Sequence, residues 1–169
     1  SNIKITVLHN NPNLGLGRSF QIALKEAKFE YFMFLCGDGG FPGESLPLVF
    51  DKLGEADLII PYMGNLKSIK TPFRYFLSRT YTRLLNLIFG KNLNYYNGLP
   101  LYKTSQLKQV KIHCDGFGFQ AEVLIKLLKM GCSYVQVKVK GAEEANHSVA
   151  FSFSSFIKVA KMFFSLIWE

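Results

Sequence analysis

Residues 11–40, NPNLGLGRSFQIALKEAKFEYFMFLCGDGG, decide how the rest of the chain is read. The stretch opens on Asn, Pro and Gly, residues that form turns and interrupt regular structure. From 18 to 28, Phe20, Ala23, Leu24 and Ala27 stand at i, i+3, i+4 and i+7, the spacing of one helix face. Residues 31–36, YFMFLC, are continuously apolar over a strand's length and stop at Gly37-Asp38-Gly39-Gly40. Turn, helix, buried strand and glycine loop come one after another within thirty residues. That succession is the repeating unit of an α/β domain.

The flanking sequence extends the pattern. Residues 3–8 predict a strand, 46–53 a short helix with Pro47 in its first turn, and 57–62 another strand. A polar stretch at 63–71 leads into a helix from Pro72. Residues 97–103 predict extended chain, and 119–130 predict a helix stopped by Gly131. In 133–139, Val135, Val137 and Val139 alternate with Tyr134, Gln136 and Lys138. No internal repeat or linker divides the chain. The expectation is an α/β domain with a mainly parallel sheet flanked by helices, over residues 1–150. A C-terminal amphipathic or membrane-proximal helix is expected over 151–169. Ligands of such sheets bind beyond the carboxyl ends of the strands, so the loops after Leu8 and Cys36 draw attention.

The chain has 169 residues, 49% apolar and 19% charged, a composition that excludes a disordered polymer. Twenty basic against twelve acidic residues leave a net charge of +8, which favours an anionic partner. Sixteen Phe and eight Tyr point to contact with something apolar. Three cysteines without C-x-x-C spacing argue against a disulfide framework or zinc site and for a reducing compartment. The first residues lack the basic and apolar regions of a secretory signal. Residues 73–89 carry three arginines, and 156–168 are shorter than the roughly 20 apolar residues of a span. Both suit a helix lying on a membrane rather than crossing it.

Among single residues, Asp38 stands out because it comes after a buried-type strand and between glycines. A carboxylate there suits a hard cation such as Mg²⁺ or Mn²⁺, and the structural alternative is a capped turn. Asn13, Gly15 and Arg18 lie where a loop enters a helix N-terminus, a natural anion site. The loop is neither a Rossmann fingerprint nor a Walker loop, and a plain strand-to-helix turn is the alternative. In 73–89, Phe73, Phe76, Leu77, Tyr81, Leu84, Leu87 and Ile88 fall on one arc. Arg74, Ser78, Arg79, Thr82, Arg83 and Asn86 take the other. That division suits an interfacial helix, against the alternative of a helix packing its apolar arc on the core. Glu122 is either a site acid or a first-turn charge paired with Lys126. His113-Cys114-Asp115 points apart along the chain, and neither His9 nor His147 has a metal partner in sequence.

Taken in order, these segments resemble a family 2 glycosyltransferase of the GT-A fold, in the branch of dolichyl-phosphate mannose synthase and polyprenyl-phosphate sugar transferases. NPNLGLGRSFQIALKEAKFEYFMFL is similar to that family's N-x-G-x-G helix and the strand before its D-x-D motif. CGDGGFPGESLPLVFDKLGEADLIIPY resembles that motif together with the helix and strand after it. TPFRYFLSRTYTRLLNLIFG resembles the interfacial helix, YYNGLPLYK the acceptor-side strand, and GFGFQAEVLIKLLKMGCSYVQVKVK the unit before the R-x-x-G-x-S loop. The resemblance implies transfer of a sugar from a nucleotide-sugar to a polyprenyl-phosphate or other lipid-linked acceptor, on the cytoplasmic face of a membrane with an anionic surface. It implies an Mg²⁺ or Mn²⁺ ion contacted by Asp38. Asn13, Gly15, Arg18 and Gly37 would lie on the nucleotide-sugar side. Arg74, Ser78, Asn97, Gly98 and Ser148 would serve the acceptor, and Glu122 is the nearest match to a base.

The departures are specific. Cys36 replaces the first Asp of D-x-D, and Gly40 stands where a Gln ligand is common. Glu143 and Asn146 replace the Arg and Gly of R-x-x-G-x-S. The resemblance starts at the family's third strand, so the family's first two strands, with their base- and ribose-binding acids, are absent from this sequence. On this reading residues 1–150 are expected to be an N-terminally incomplete domain that binds nucleotide poorly. A non-catalytic, membrane-associated module of the same fold is the competing reading. A nucleic-acid-binding domain ranks last, because the basic residues are scattered.

Overall fold

The computed structural model describes residues 4–37, 41–116 and 118–141. Among them the order is α1 (Leu16–Glu26), β1 (Tyr31–Met33), a 3₁₀ turn (Gly43–Ser45), α2 (Leu46–Phe50) and β2 (Leu58–Met63). Next along the chain are α3 (Leu66–Ile69), α4 (Pro72–Phe89), β3 (Leu101–Lys103), α5 (Thr104–Leu107), α6 (Phe119–Lys129) and β4 (Tyr134–Val139). The elements read from residues 18–28, 31–36, 57–62, 119–130 and 133–139 all form, with ends shifted by a few residues. Asp38, Ser148 and the expected helix of 151–169 lie outside the described residues.

The sheet has the order β1-β3-β2-β4 and is mixed. β3 runs antiparallel to both neighbours, pairing Phe32 with Tyr102 and Ile59 with Leu101. β4 lies parallel to β2 from Leu58–Tyr134 to Met63–Val139. β1, β2 and β4 therefore share a direction, and two of the three pairings are antiparallel. Residues 4–8 form no strand, and Ile5 and Val7 are exposed. Alternation in sequence makes a strand only where a neighbour completes its hydrogen bonds, and none of the described strands lies beside this segment.

Each face of the sheet has its own core. On one, Phe20 and Leu24 of α1, Leu85 of α4 and Phe119, Val123 and Leu127 of α6 pack against Leu58, Ile60 and Tyr102. The Phe20 ring meets Phe119 at 4.8 Å and Phe32 at 5.2 Å between centroids, the latter edge-on. On the other face, Val49 of α2 and Phe41 cover Ile59, Leu101, Val137 and Val139. At the start of the parallel pair, Asp57 Oδ2 accepts from Ser133 Oγ at 2.8 Å and from its N–H at 3.0 Å. The hydroxyl bond foremost holds the Asp57 carboxyl below its ordinary 3.8.

α4 turns most of its apolar arc away from the core, with Tyr81 the member of that arc that packs on it. Leu85 is fully buried and Thr82 is 3% exposed, whereas Phe73, Phe76 and Leu87 are 68%, 64% and 81% exposed. The polar residues on the inner side are satisfied locally. Thr82 Oγ1 donates to Ser78 O at 3.0 Å. Asn86 Nδ2 donates to Leu93 O, while its Oδ1 accepts from Leu93 N and from Tyr96 OH at 2.9 Å. These bonds let a mixed face replace an apolar one against the core. No described helix is long and apolar enough to cross a membrane.

Two outcomes test this packing. Phe20→Ala should destabilise the chain by about 3–5 kcal/mol in urea unfolding, whereas Leu87→Ala should shift it by less than about 0.5 kcal/mol. A depressed Asp contributes stability above its unfolded-state value and loses it as pH falls through the lower folded value. The stability difference between wild type and Ser133→Ala should therefore hold steady above the ordinary carboxyl value of 3.8 and shrink as pH falls below it.

Candidate active site

Because β1, β2 and β4 share a direction, their carboxyl ends and the loops after them lie along one edge of the sheet. Cys36 and Gly37 leave β1 there, Gly64 and Asn65 leave β2, and Lys140 and Gly141 leave β4. Gly98 reaches the same edge just before β3. Its α-carbon lies so close to the Pro61 carbonyl that a side chain could not be placed there. A cavity of about 420 Å³ opens at this edge between Pro42, Glu44, Asn65, Ser68, Ile69, Lys140 and Gly141.

The cavity wall is cross-tied by polar bonds. Asn65 Nδ2 donates to Gly141 O, and Gly141 N donates to Asn65 Oδ1, both at 2.9 Å. Ser45 Oγ donates to Lys140 O at 3.0 Å, joining the segment after the glycine loop to the end of β4. Beside the loop that leads into β3, Lys70 Nζ lies 3.3 Å from Tyr95 OH and 5.3 Å from the Tyr95 ring centre. The neighbouring Asn97 Oδ1 is buried without a hydrogen-bond partner. Arg74 and Ser78 occupy the first two turns of α4, which is reached from β2 through α3.

Asn13, Gly15 and Arg18 stand at the start of α1. Asn13 Oδ1 accepts from Gly15 N at 2.9 Å, and Gly15 adopts φ 82°, open mainly to glycine. Arg18 is exposed. The backbone of residues 114–115 packs directly on this turn: Gly17 N donates to Asp115 O at 3.0 Å, and a Cβ on Gly17 would overlap Cys114 O. Glu122 is 2% exposed. Its oxygens accept from His113 N at 2.9 Å and Cys114 N at 2.8 Å, and Lys126 Nζ lies 3.0 Å away. The i+4 pairing with Lys126 read from sequence is present.

Of the residues named from sequence, the structure brings Gly37, Asn97 and Gly98 to the carboxyl edge, with α4 leading away from it. Asn65, Ser45 and Lys140 were not singled out. The only signal for Asn65 and Lys140 was position, since Lys140 falls directly after β4 and Asn65 follows β2 with only Gly64 between. Among the described residues no three His, Cys, Asp or Glu side chains gather to hold a metal. Cys36, at the first position of the D-x-D-like motif, packs with the apolar cluster around Val49 and Ile59. A thiol is a soft ligand, poorly matched to Mg²⁺. The described side chains do not by themselves fit an Mg²⁺ or Mn²⁺ site.

No curated protein matches the chain in sequence. Among solved structures, glucosyl-3-phosphoglycerate synthase from Mycobacterium tuberculosis superposes on most of it. The complex of that enzyme with uridine diphosphate gives a TM-score of 0.70 at 15% identity, covering 91% of this chain and 55% of that one. Its complex with Mn²⁺, UDP-glucose and glycerol 3-phosphate gives 0.68 at 15% identity over the same shares. The complex with phosphoglyceric acid gives 0.68 at 16% identity, covering 97% and 57%. The likeness is one of fold, and the chain spans little more than half of those structures. The model described as glycosyl transferase family 2 matches residues 1–127, well over half the chain, and the protein belongs to that family.

Proposed function

We propose that this chain is part of the catalytic machinery of a glycosyltransferase that moves a sugar from a nucleotide-sugar to a polyprenyl-phosphate or similar lipid-linked acceptor at a membrane surface. Family membership supports the donor class. The lipid acceptor, and the branch resembling dolichyl-phosphate mannose synthase, rest on one observation: α4 turns Phe73, Phe76, Leu84, Leu87 and Ile88 outward. Five large apolar side chains left in water on one helix are costly unless a partner covers them. A helix carrying Arg74, Arg79 and Arg83 beside such a stripe matches an anionic lipid surface. In this reading the protein works at the cytoplasmic face of the membrane.

Asn13, Gly15, Arg18 and Gly37 then face the nucleotide-sugar. Arg74, Ser78, Asn97 and Gly98 are assigned to the acceptor, and Ser148, outside the described residues, is assigned there from sequence alone. The buried, unpartnered Asn97 Oδ1 supports that side, since a bound hydroxyl or water could donate to it. A phosphate acceptor is ionised near neutral pH and needs no strong base. Asp38, next in sequence after Gly37, is the residue that would contact an Mg²⁺ or Mn²⁺ ion, which would supply positive charge for a diphosphate leaving group. A non-catalytic module of the same fold is the second reading, favoured by the thiol of Cys36 in place of a carboxylate.

The membrane reading is tested with vesicles of mixed zwitterionic and anionic phospholipid. The chain should co-sediment with them, and less so at high salt. Phe76→Ser with Leu84→Ser should weaken binding at every salt concentration, whereas Arg79→Gln should act mainly at low salt. Absence of binding in the wild type would remove the argument for a lipid acceptor. The enzymatic reading is tested in the full-length protein by turnover of nucleotide-sugar with a polyprenyl phosphate. Asp38→Asn should lower it by about 100-fold or more, within the range of losing a group that stabilises transition-state charge. Turnover equal to wild type would refute the assignment of Asp38, and vesicle binding without any turnover would select the non-catalytic reading.

A further inference from the structure

We propose that Glu122 is a positioning residue that sets the start of α1 by holding residues 111–115 against it, rather than the base of the reaction. The proposal rests on the reading of the α1 turn as part of the nucleotide-sugar side. The observation behind it is a continuous chain of bonds from the middle of the molecule to that turn. Glu122 lies in the first turns of α6 and is 2% exposed, with no face open to a substrate. One carboxylate oxygen takes the N–H of His113 at 2.9 Å, and the other takes that of Cys114 at 2.8 Å.

Lys126, one turn further along α6, completes the grip on the loop. Its Nζ donates to Lys111 O at 2.9 Å and lies 3.0 Å from Glu122 Oε1 and 3.2 Å from His113 Nδ1. The held loop then meets α1. Asp115 O accepts from Gly17 N at 3.0 Å, and a Cβ on Gly15 would stand 3.0 Å from that same oxygen. The two glycines form a notch into which the backbone of 114–115 fits. The notch is in turn tied to the segment before it. Ser19 N and Oγ both donate to Gly15 O, and Asn10 Nδ2 donates to Ser19 Oγ at 2.8 Å.

The chemistry separates the two roles. A general base must come within hydrogen-bond reach of the proton it removes. Glu122 instead commits both oxygens to the main-chain N–H groups of His113 and Cys114. Removing it would take the carboxylate acceptors from the His113 and Cys114 N–H groups and loosen the carbonyl that Gly17 uses. Asn13 and Arg18 ride on the same turn, so the effect would reach the donor side without Glu122 touching the donor.

The test is native-state amide hydrogen exchange on the full-length protein, with Glu122→Ala, Glu122→Gln and Gly17→Ala. In Glu122→Ala, exchange should accelerate about ten- to a hundredfold at His113, Cys114 and Gly17, with the β2 and β4 amides unchanged. Glu122→Gln keeps one acceptor oxygen and should give a smaller acceleration at the same three sites. Gly17→Ala, which wedges the notch from the other side, should accelerate exchange at residues 113–115 while Glu122 is intact. Should Glu122→Ala lose the whole fold, the other two variants decide the matter. Faster exchange at His113 and Cys114 with Gly17 unchanged would overturn the proposal. In turnover assays Glu122→Gln should raise KM for the nucleotide-sugar with kcat within a few-fold of wild type. A kcat as low in Glu122→Gln as in Glu122→Ala, with KM and Gly17 protection unaltered, would make Glu122 the base. A protein without any turnover would fail the proposed function, while the exchange data would still decide the role of Glu122.

Discussion

The burial of one ring, Phe20, is the constraint on which the arrangement of the molecule depends. Phe20 belongs to α1, but its contacts are with Phe32 of β1, Phe34, Tyr102 of β3 and Phe119 of α6. A single aromatic side chain thus joins α1 and β1 to β3 and α6, which lie far along the sequence from them. Aromatic pairs in edge-on geometry add to the area they bury, and they also fix angle and depth. Once α1 and α6 are set on the same face, their N-terminal ends come close enough for the loop before α6 to enter the notch at Gly15 and Gly17. The core contact and the polar contact at the carboxyl edge are two ends of one packing decision.

The second constraint is directional. β3 enters between β1 and β2 and runs against both. Because the chain reverses twice across it, β1 and β2 emerge at the same edge, and β4 joins them in parallel. The loops after three strands therefore meet in one place, where Asn65, Ser45 and the backbone of Lys140 and Gly141 are cross-bonded. Loops at a sheet edge carry many backbone polar groups, and these bonds satisfy several of them without closing the cavity. This is the arrangement in which an open α/β sheet holds a ligand.

α4 shows how hydrogen bonding can overrule hydrophobic patterning. Phe73, Phe76, Leu84, Leu87 and Ile88 face outward, while Thr82 and Asn86 join Tyr81, Leu85 and Phe89 on the side facing the protein. Asn86 bonds both main-chain groups of Leu93 and the hydroxyl of Tyr96, so it fastens the turn after α4 to the helix. A bonded polar residue is stable inside, and the apolar stripe is then left for another surface. The unusual share of Phe in the composition has part of its explanation here, in Phe73 and Phe76, and part in the Phe20 cluster.

What the sequence by itself determined is local. The period of Phe20, Ala23, Leu24 and Ala27 set α1; the apolar run at 31–36 set β1; the alternation of Val135, Val137 and Val139 set β4, and Gly131 ended α6. These signals need only neighbours along the chain, and the order of such segments carried the resemblance to the family. Pairing and facing were decided only by the tertiary structure. Residues 4–8 have the alternation of a strand but no described partner, and the direction of β3 is not encoded in Leu101–Lys103 alone. The amphipathic arc of α4 was legible, but which side meets the core was not, because that turned on the partners of Asn86 seven and ten residues away. Glu122 and Gly17 are the same case: a carboxylate and a glycine acquire their roles from a loop that reaches both only after the sheet has folded.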